Sequence, residues 1–181
     1  MGKLTVFNFV TLNGFFQGPG GDTSWAHERP SDDYAEGAMK GESTLLFGRV
    51  TYEMMASFWP TPAGTAMSPE IAKKMNASDK VVFSRTLRSA DWENTRIVGT
   101  LGEEVARLRA AGKSMTVLGS GSIVTQLAEQ GLVDAYDIMV HPVALGAGTP
   151  MFHGAKKRID LEVVATRKLE AGAVLLSMVP R

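Results

Sequence analysis

The sequence predicts an α/β fold with a mostly parallel central sheet and an antiparallel strand pair at its C-terminal end. Three observations carry that reading. Short apolar runs at residues 6–12, 45–47, 81–83 and 115–118 are near-continuous rather than alternating, as in strands covered on both faces. Helical patterns with start and stop signals lie between them. The last third alternates instead, with Tyr136, Ile138 and Val140 separated by polar or smaller residues.

Taken in order, the first run ends at Asn13-Gly14, a sharp-turn dipeptide followed by Phe15, Phe16 and, further on, Trp25, three aromatic residues expected to be exposed. They form either flat apolar walls for a heterocycle or a turn tucked onto the core. Ser31 or Asp32 caps a predicted helix bearing Tyr34, Ala35, Ala38 and Met39 on one stripe. Ser68-Pro69-Glu70 opens a short helix that Asn76 ends. Thr100-Leu101-Gly102-Glu103 has the capping-box pattern, in which hydroxyl and carboxylate satisfy free amides; Val105 and Leu108 continue that helix and Gly112 stops it. Residues 123–130 form a further helix. Leu161, Val163 and Ala165, then Val174, Leu176 and Met178, flank a turn around residues 169–172 and predict an antiparallel hairpin.

Composition narrows the function classes. The 181 residues carry 19 Lys+Arg against 19 Asp+Glu, so no net charge draws the chain to nucleic acid or to an anionic membrane. No cysteine is present, which removes disulfides, thiolate metal sites and cysteine nucleophiles, and makes any redox role depend on a borrowed cofactor. No stretch approaches the ~18 apolar residues of a membrane span, and the first residues lack a signal-peptide pattern. The expectation is one cytoplasmic domain spanning residues 1–181. His27, His141 and His153 lack metal-ligand spacing, so no metal site is expected, and the ten methionines read as core or interface filler.

Three predicted strand ends carry the residue types that meet an anion. Phe47 runs into Gly48-Arg49-Val50-Thr51, Phe83 into Ser84-Arg85-Thr86, and Leu118 into Gly119-Ser120-Gly121-Ser122 before Ile123. Glycines let a backbone approach a ligand, helix N-terminal amides point at anions, and an Arg fork matches phosphate oxygens. In open α/β sheets ligands bind at the carboxyl ends of strands. The bland alternatives are an ion pair between Arg49 and Glu53, one helical turn apart, and a solvated Arg85. Val124 stands where the dinucleotide fingerprint has its third glycine, and no Gly-x-Ser-x-Gly elbow is present.

These segments in this order, with Thr11-Leu12-Asn13-Gly14 before them and Pro142-Val143-x-Leu145-Gly146-x-Gly148-x-Pro150-Met151-Phe152 after, resemble a known family. It is the dihydrofolate-reductase-like family that includes the C-terminal reductase domain of the bifunctional riboflavin-biosynthesis deaminase–reductase. The likeness runs from about residue 3 to the C-terminus. It implies a dihydrofolate-reductase-like three-layer fold, NADPH as cofactor, a small-molecule substrate and a homodimer paired through the sheet region. It implies that Gly48, Arg49 and Thr51 meet the cofactor phosphates, that Ser84, Arg85 and Thr86 hold the adenosine ribose with its 2′-phosphate, and that Gly119, Ser120, Gly121, Ser122 and Ile123 receive the pyrophosphate. Substrate would lie near Asn13 and Trp25. Members commonly carry Asp at the position of Asn13, and an amide orients a substrate without serving as general acid or base. The proton that a reduction needs would then come from water or another acid, for which Asp22 and Asp33 are the candidates. Two further readings of the same residues are a nucleotide-binding module without turnover and a structural homodimer subunit.

Overall fold

The computed structural model describes residues 2–28 and 41–181. The helix expected from Ser31 or Asp32 and the candidate Asp33 lie outside them. In chain order the elements are β1 (Leu4–Thr11), β2 (Phe15–Gln17), β3 (Thr44–Gly48), α1 (Arg49–Ala56), α2 (Pro62–Met67), α3 (Pro69–Ala77), β4 (Lys80–Phe83), β5 (Thr95–Val98), α4 (Leu101–Ala110), β6 (Met115–Leu118), α5 (Gly121–Glu129), β7 (Ala135–His141), β8 (Thr149–Pro150), β9 (Leu161–Lys168) and β10 (Val174–Pro180).

Eight strands form one sheet in the order β5-β4-β3-β6-β1-β7-β10-β9, and β2 pairs with β8 in a small ribbon. Only β10 runs against the other strands of the large sheet, as the alternating C-terminal pattern required. Its hairpin with β9 closes through Leu169 N–H donating to Ala173 O at 2.8 Å, with Gly172 at φ +89°. The predicted α/β class is what the chain adopts.

The continuous apolar runs are explained by a core on each face. Side chains in register share a face, so Val6, Leu46, Val81 and Val117 pack with Val105 and Leu108 of α4 and Val124 and Leu127 of α5. Phe7, Phe47, Val82 and Leu118, one residue on, pack against Tyr52 of α1 and Ile71 and Met75 of α3. Helix, sheet and helix make three layers, matching the dihydrofolate-reductase-like expectation. Among the described residues no helix is long and apolar enough to cross a membrane.

Several local expectations are corrected. Thr100 and Glu103 do not form a capping box: the hydroxyl donates to Glu103 Oε2 at 2.8 Å, a charge-assisted bond, instead of accepting from an amide. Asn76 does not stop α3, which runs on through Ala77; its amide is drawn inward, donating to Trp59 O and accepting from Trp92 Nε1–H at 2.7 Å. The helix expected over 123–130 starts two residues earlier, because Gly121 and Ser122 already take helical geometry. β5, too short and half-exposed to show a period, gave no signal.

Lys80 is a buried cation at the start of β4, 1% exposed. Its ammonium donates to Ser78 O at 2.7 Å and Asn76 O at 3.1 Å and sits 4.6 Å from the Trp92 ring centroid. Burial pulls its pKa from 10.5 down to about 8, against the smaller opposing pull of Asp79 and Glu93. The unfolded chain therefore holds a proton that the folded chain has released between about pH 8 and 10.5. Stability contributed by this group rises with pH through that window, by up to about 3 kcal/mol. Denaturant midpoints of wild type and Lys80→Met across it should converge on a pH-dependent difference of that sign; parallel profiles would contradict it.

Candidate functional site

The sheet changes direction of winding between β3 and β6. From β3 the chain continues through α1 toward β4 on one side, and from β6 it continues through α5 toward β7 on the other. Such a switch point leaves a crevice at the carboxyl ends of the strands, flanked by two helix starts. Here the crevice is a cleft of about 710 Å³.

Its walls are built by the loops that leave the strands. Gly48 lacks the Cβ that would come within 3.3 Å of Ser120 Oγ and Ile123, and its amide donates to Ser120 Oγ at 2.8 Å, clasping the two strand ends. Gly119 and Ser120 take consecutive left-handed conformations, φ +63° and +60°, which turn the chain abruptly from β6 into α5. A non-glycine residue in that region is strained, and such strain persists only where the surroundings hold it. Because the Ser120 hydroxyl is spent on β3, it does not cap α5; α1 also begins without a side-chain cap. The first amides of both helices, including Gly121 and Ser122, have no intrahelical acceptor and carry the positive end of the helix dipole.

Electrostatics sharpen the picture. Arg49 and Arg85 line the cleft, and among the described residues no carboxylate does. Arg49 forks onto Glu53 at 3.0 and 3.2 Å, the helical-turn pair anticipated as the alternative, with both side chains about half exposed. An exposed pair of this kind is worth roughly 0.2–1 kcal/mol, so an incoming anion can take the guanidinium over. Arg85 is exposed and has no ion pair among the described residues. A second cleft of about 750 Å³ on the α1 side has the opposite character, since Glu53, Asp91 and Glu93 line it and, among the described residues, no Lys or Arg does. It does not suit a phosphate.

Of the residues singled out from sequence, Gly48, Arg49, Thr51, Ser84, Arg85, Ser120, Gly121, Ser122 and Ile123 all line the first cleft. Thr86 and Gly119 stand behind it. The Ser84 hydroxyl accepts from Thr86 N–H at 3.2 Å and Leu87 N–H at 2.9 Å, so Thr86 shapes the turn. A Cβ on Gly119 would lie 3.3 Å from Thr51 Cγ2. Phe16 and Gln17 of β2 and Thr149 of β8 close the mouth, with the Phe16 ring over Gly121, where a Cβ would meet it at 2.7 Å. Gln126 and His153 also line the cleft. They were not legible because each is a single residue from a separate segment without a local pattern.

Asn13, Asp22 and Trp25 do not line this cleft. Asn13 is fully engaged in its loop: Oδ1 accepts from Thr11 Oγ1–H at 2.8 Å and Leu145 N–H at 3.2 Å, and Nδ2 donates to Leu145 O at 2.7 Å. The Asp22 carboxylate accepts from Ser24 N–H at 3.0 Å, and that bond lowers its pKa, so it is ionised at neutral pH and holds no proton to give. Trp25, expected to be exposed, is 7% exposed and meets His141 edge-on with centroids 5.4 Å apart. His141, the last residue of β7, also meets Phe9 edge-on, and its buried Nε2 has no hydrogen-bond partner among the described residues. Burial lowers the pKa of His141, with His27 adding to it, and burial lowers that of His27. Both imidazoles are neutral at pH 7.

The comparisons with known proteins agree with this architecture. The RibD C-terminal domain family model matches residues 2–175. The Bacillus subtilis (strain 168) protein YyaP is 32% identical over 166 residues, 91% of this chain and 88% of that protein. A Shewanella sp. PV-4 structure assigned provisionally to riboflavin biosynthesis superposes with a TM-score of 0.80 at 21% identity over 99% of each chain. The Thermotoga maritima diaminohydroxyphosphoribosylaminopyrimidine deaminase/5-amino-6-(5-phosphoribosylamino)uracil reductase gives 0.69 at 16% identity, over 99% of this chain and 57% of that one. At such identities the two structures speak for the fold, whereas the family match covers nearly the whole sequence. With its three layers, its antiparallel final strand and its crevice between β3 and β6, the chain belongs to the RibD C-terminal domain family.

Proposed function

We propose that the protein is an NADPH-dependent reductase acting in the cytoplasm on a small heterocyclic substrate, pterin-like or pyrimidine-like, or on a carbonyl or imine. The observation that supports it is the cleft at the switch point, with two uncapped helix starts, two arginines and, among the described residues, no carboxylate. The residues present fit a dinucleotide. The Gly121 and Ser122 amides and Arg49 suit the shared phosphates, and Arg85 with Ser84 suits a 2′-phosphate. Bound there, the cofactor would supply the hydride. The protein's own part is to orient both reactants and keep water from the transfer. Phe16, over the start of α5, walls the cleft on the side of β1, while Asn13 holds the following loop to Leu145. The reductase part of the Thermotoga protein's name supports the pyrimidine-like class.

Asn13, an amide, holds no acid proton and Asp22 is ionised, so water or Asp33, which lies outside the described residues, is the proposed proton source. The amide at position 13 favours one second reading, a nucleotide-binding module without turnover. Two measurements separate the possibilities. NADPH should raise the melting temperature more than NADH does, and no shift with either would end both readings. Steady loss of the reduced-nicotinamide absorbance with any member of a panel of reducible heterocycles removes the silent-module reading. We also propose that two copies pair.

A further inference from the structure

The two arginines of the first cleft are not alike. Arg85 is exposed and has no ion pair among the described residues, whereas Arg49 places Nη1 on both carboxylate oxygens of Glu53. Helix stability does not account for that pair. Carboxylates suit the first turn of a helix and cations the last, and an ion pair at this spacing is better when the acid comes first. α3 and α4 follow the rule, with Glu70 ahead of Lys74 and with Glu103 and Glu104 ahead of Arg107 and Arg109. α1 reverses it: Arg49 is its first residue, at the positive end, and Glu53 stands one turn further on.

The cleft accounts for what the helix does not. Arg49 shares it with Arg85 and the uncapped start of α5, and among the described residues no carboxylate lines it, so like charges face one another there. Glu53 reaches Arg49 from the far side of α1, where it lines the second cleft with Asp91 and Glu93. Its carboxylate is drawn toward the guanidinium and pushed by the two acids on its own side.

We propose that Glu53 is a positioning and specificity residue, a built-in counter-ion that holds Arg49 while no ligand is bound and yields it only to an anion of higher charge. This role rests on the nucleotide reading of the cleft. A singly charged anion offers the guanidinium no more than this carboxylate does, and the carboxylate is tethered within reach, so it competes at high effective concentration. A pyrophosphate carries several charges and also meets the Gly121 and Ser122 amides at the start of α5. Glu53 therefore keeps small anions off Arg49 and lowers the affinity for the anion that fits.

Isothermal titration of wild type, Glu53→Gln, Arg49→Ala and the double variant with NADPH, NADH and inorganic pyrophosphate tests this. Glu53→Gln keeps the size of the side chain and removes its charge. It should tighten all three ligands alike by about two- to fivefold, the strength of an exposed pair expressed as affinity. A damaged fold would not bind more tightly. In the Arg49→Ala background the same change should alter binding by less than about twofold, because no guanidinium is left to release. Salt supplies a third readout. In Glu53→Gln the bare Arg49 takes small anions from solution, so raising sodium chloride from about 50 to about 200 mM should weaken pyrophosphate binding by a larger factor than in wild type. Binding that is unchanged or weaker in Glu53→Gln, equal tightening with and without Arg49, or parallel salt profiles overturns the proposal and leaves the nucleotide reading standing. A wild type that binds none of the three ligands overturns both.

Discussion

Arg85→Ala is expected to weaken NADPH binding by about 10- to 100-fold while changing NADH binding less than threefold. On the proposed reading Arg85 meets the 2′-phosphate, the one group the two nucleotides do not share. A charge-assisted hydrogen bond of this kind contributes roughly 1.5–3 kcal/mol, which converts to that range of affinity. Its loss is unusually clean here, because Arg85 has no ion pair among the described residues, and the substitution leaves no stranded carboxylate and no buried space. Arg49→Ala differs on both counts. It frees Glu53 beside the cleft and removes a contact placed at the phosphates common to both nucleotides, so both should weaken together. Isothermal titration at one fixed salt concentration reads all four combinations. Equal weakening of NADPH and NADH by Arg85→Ala would remove Arg85 from the proposed 2′-phosphate contact.

Trp92→Ala is expected to lower stability by about 3–5 kcal/mol, the range for truncating a large buried aromatic. Trp92 is 6% exposed and lies in the loop between β4 and β5. Its ring packs 6.2 Å from both Phe47 and Tyr52, its Nε1–H donates to Asn76, and its backbone N–H donates to the Tyr52 hydroxyl at 3.2 Å. Lys80 loses the aromatic face above its ammonium at the same time. Against a typical total of about 5–15 kcal/mol, this is enough to leave the chain near its folding threshold. Trp92→Phe keeps most of the packing and loses the indole donor, so it should cost far less. Urea midpoints at constant slope decide it; a loss below about 1 kcal/mol for Trp92→Ala would show that the loop can collapse onto the gap.

The parts of the molecule readable from sequence are those where one physical demand acts on consecutive residues. Residues 45–47, 81–83 and 115–118 are apolar almost without a break because helices cover both faces, and that left the plain signature of parallel strands. A parallel sheet then collects its strand ends at one edge, so three loops distant in sequence share a single cleft. What escaped was set by contacts between remote single residues. Trp25 looked like an exposed wall, yet His141 at the end of β7 gave it a ring to pack against. Thr149 reaches the cleft only because β8 pairs with β2, and a two-residue strand has no period to read. Arg49 takes the ion pair with Glu53 that its spacing offered and also lines the cleft.

The strand order also dictates when the sheet can be finished. β6 lies between β3 and β1, and β10 lies between β7 and β9; in each case the inner strand is made after both of its neighbours. As the chain emerges from the ribosome, β1 and β3 must wait for residues 115–118 before they are joined, and β9 has no partner on either side until residues 174–180 appear. Long-range pairing of this sort is slow, and unpaired strands are the species most prone to aggregate. Loss of β10 would therefore detach an entire neighbouring strand, and the growing chain is at its most vulnerable before that last strand has been made.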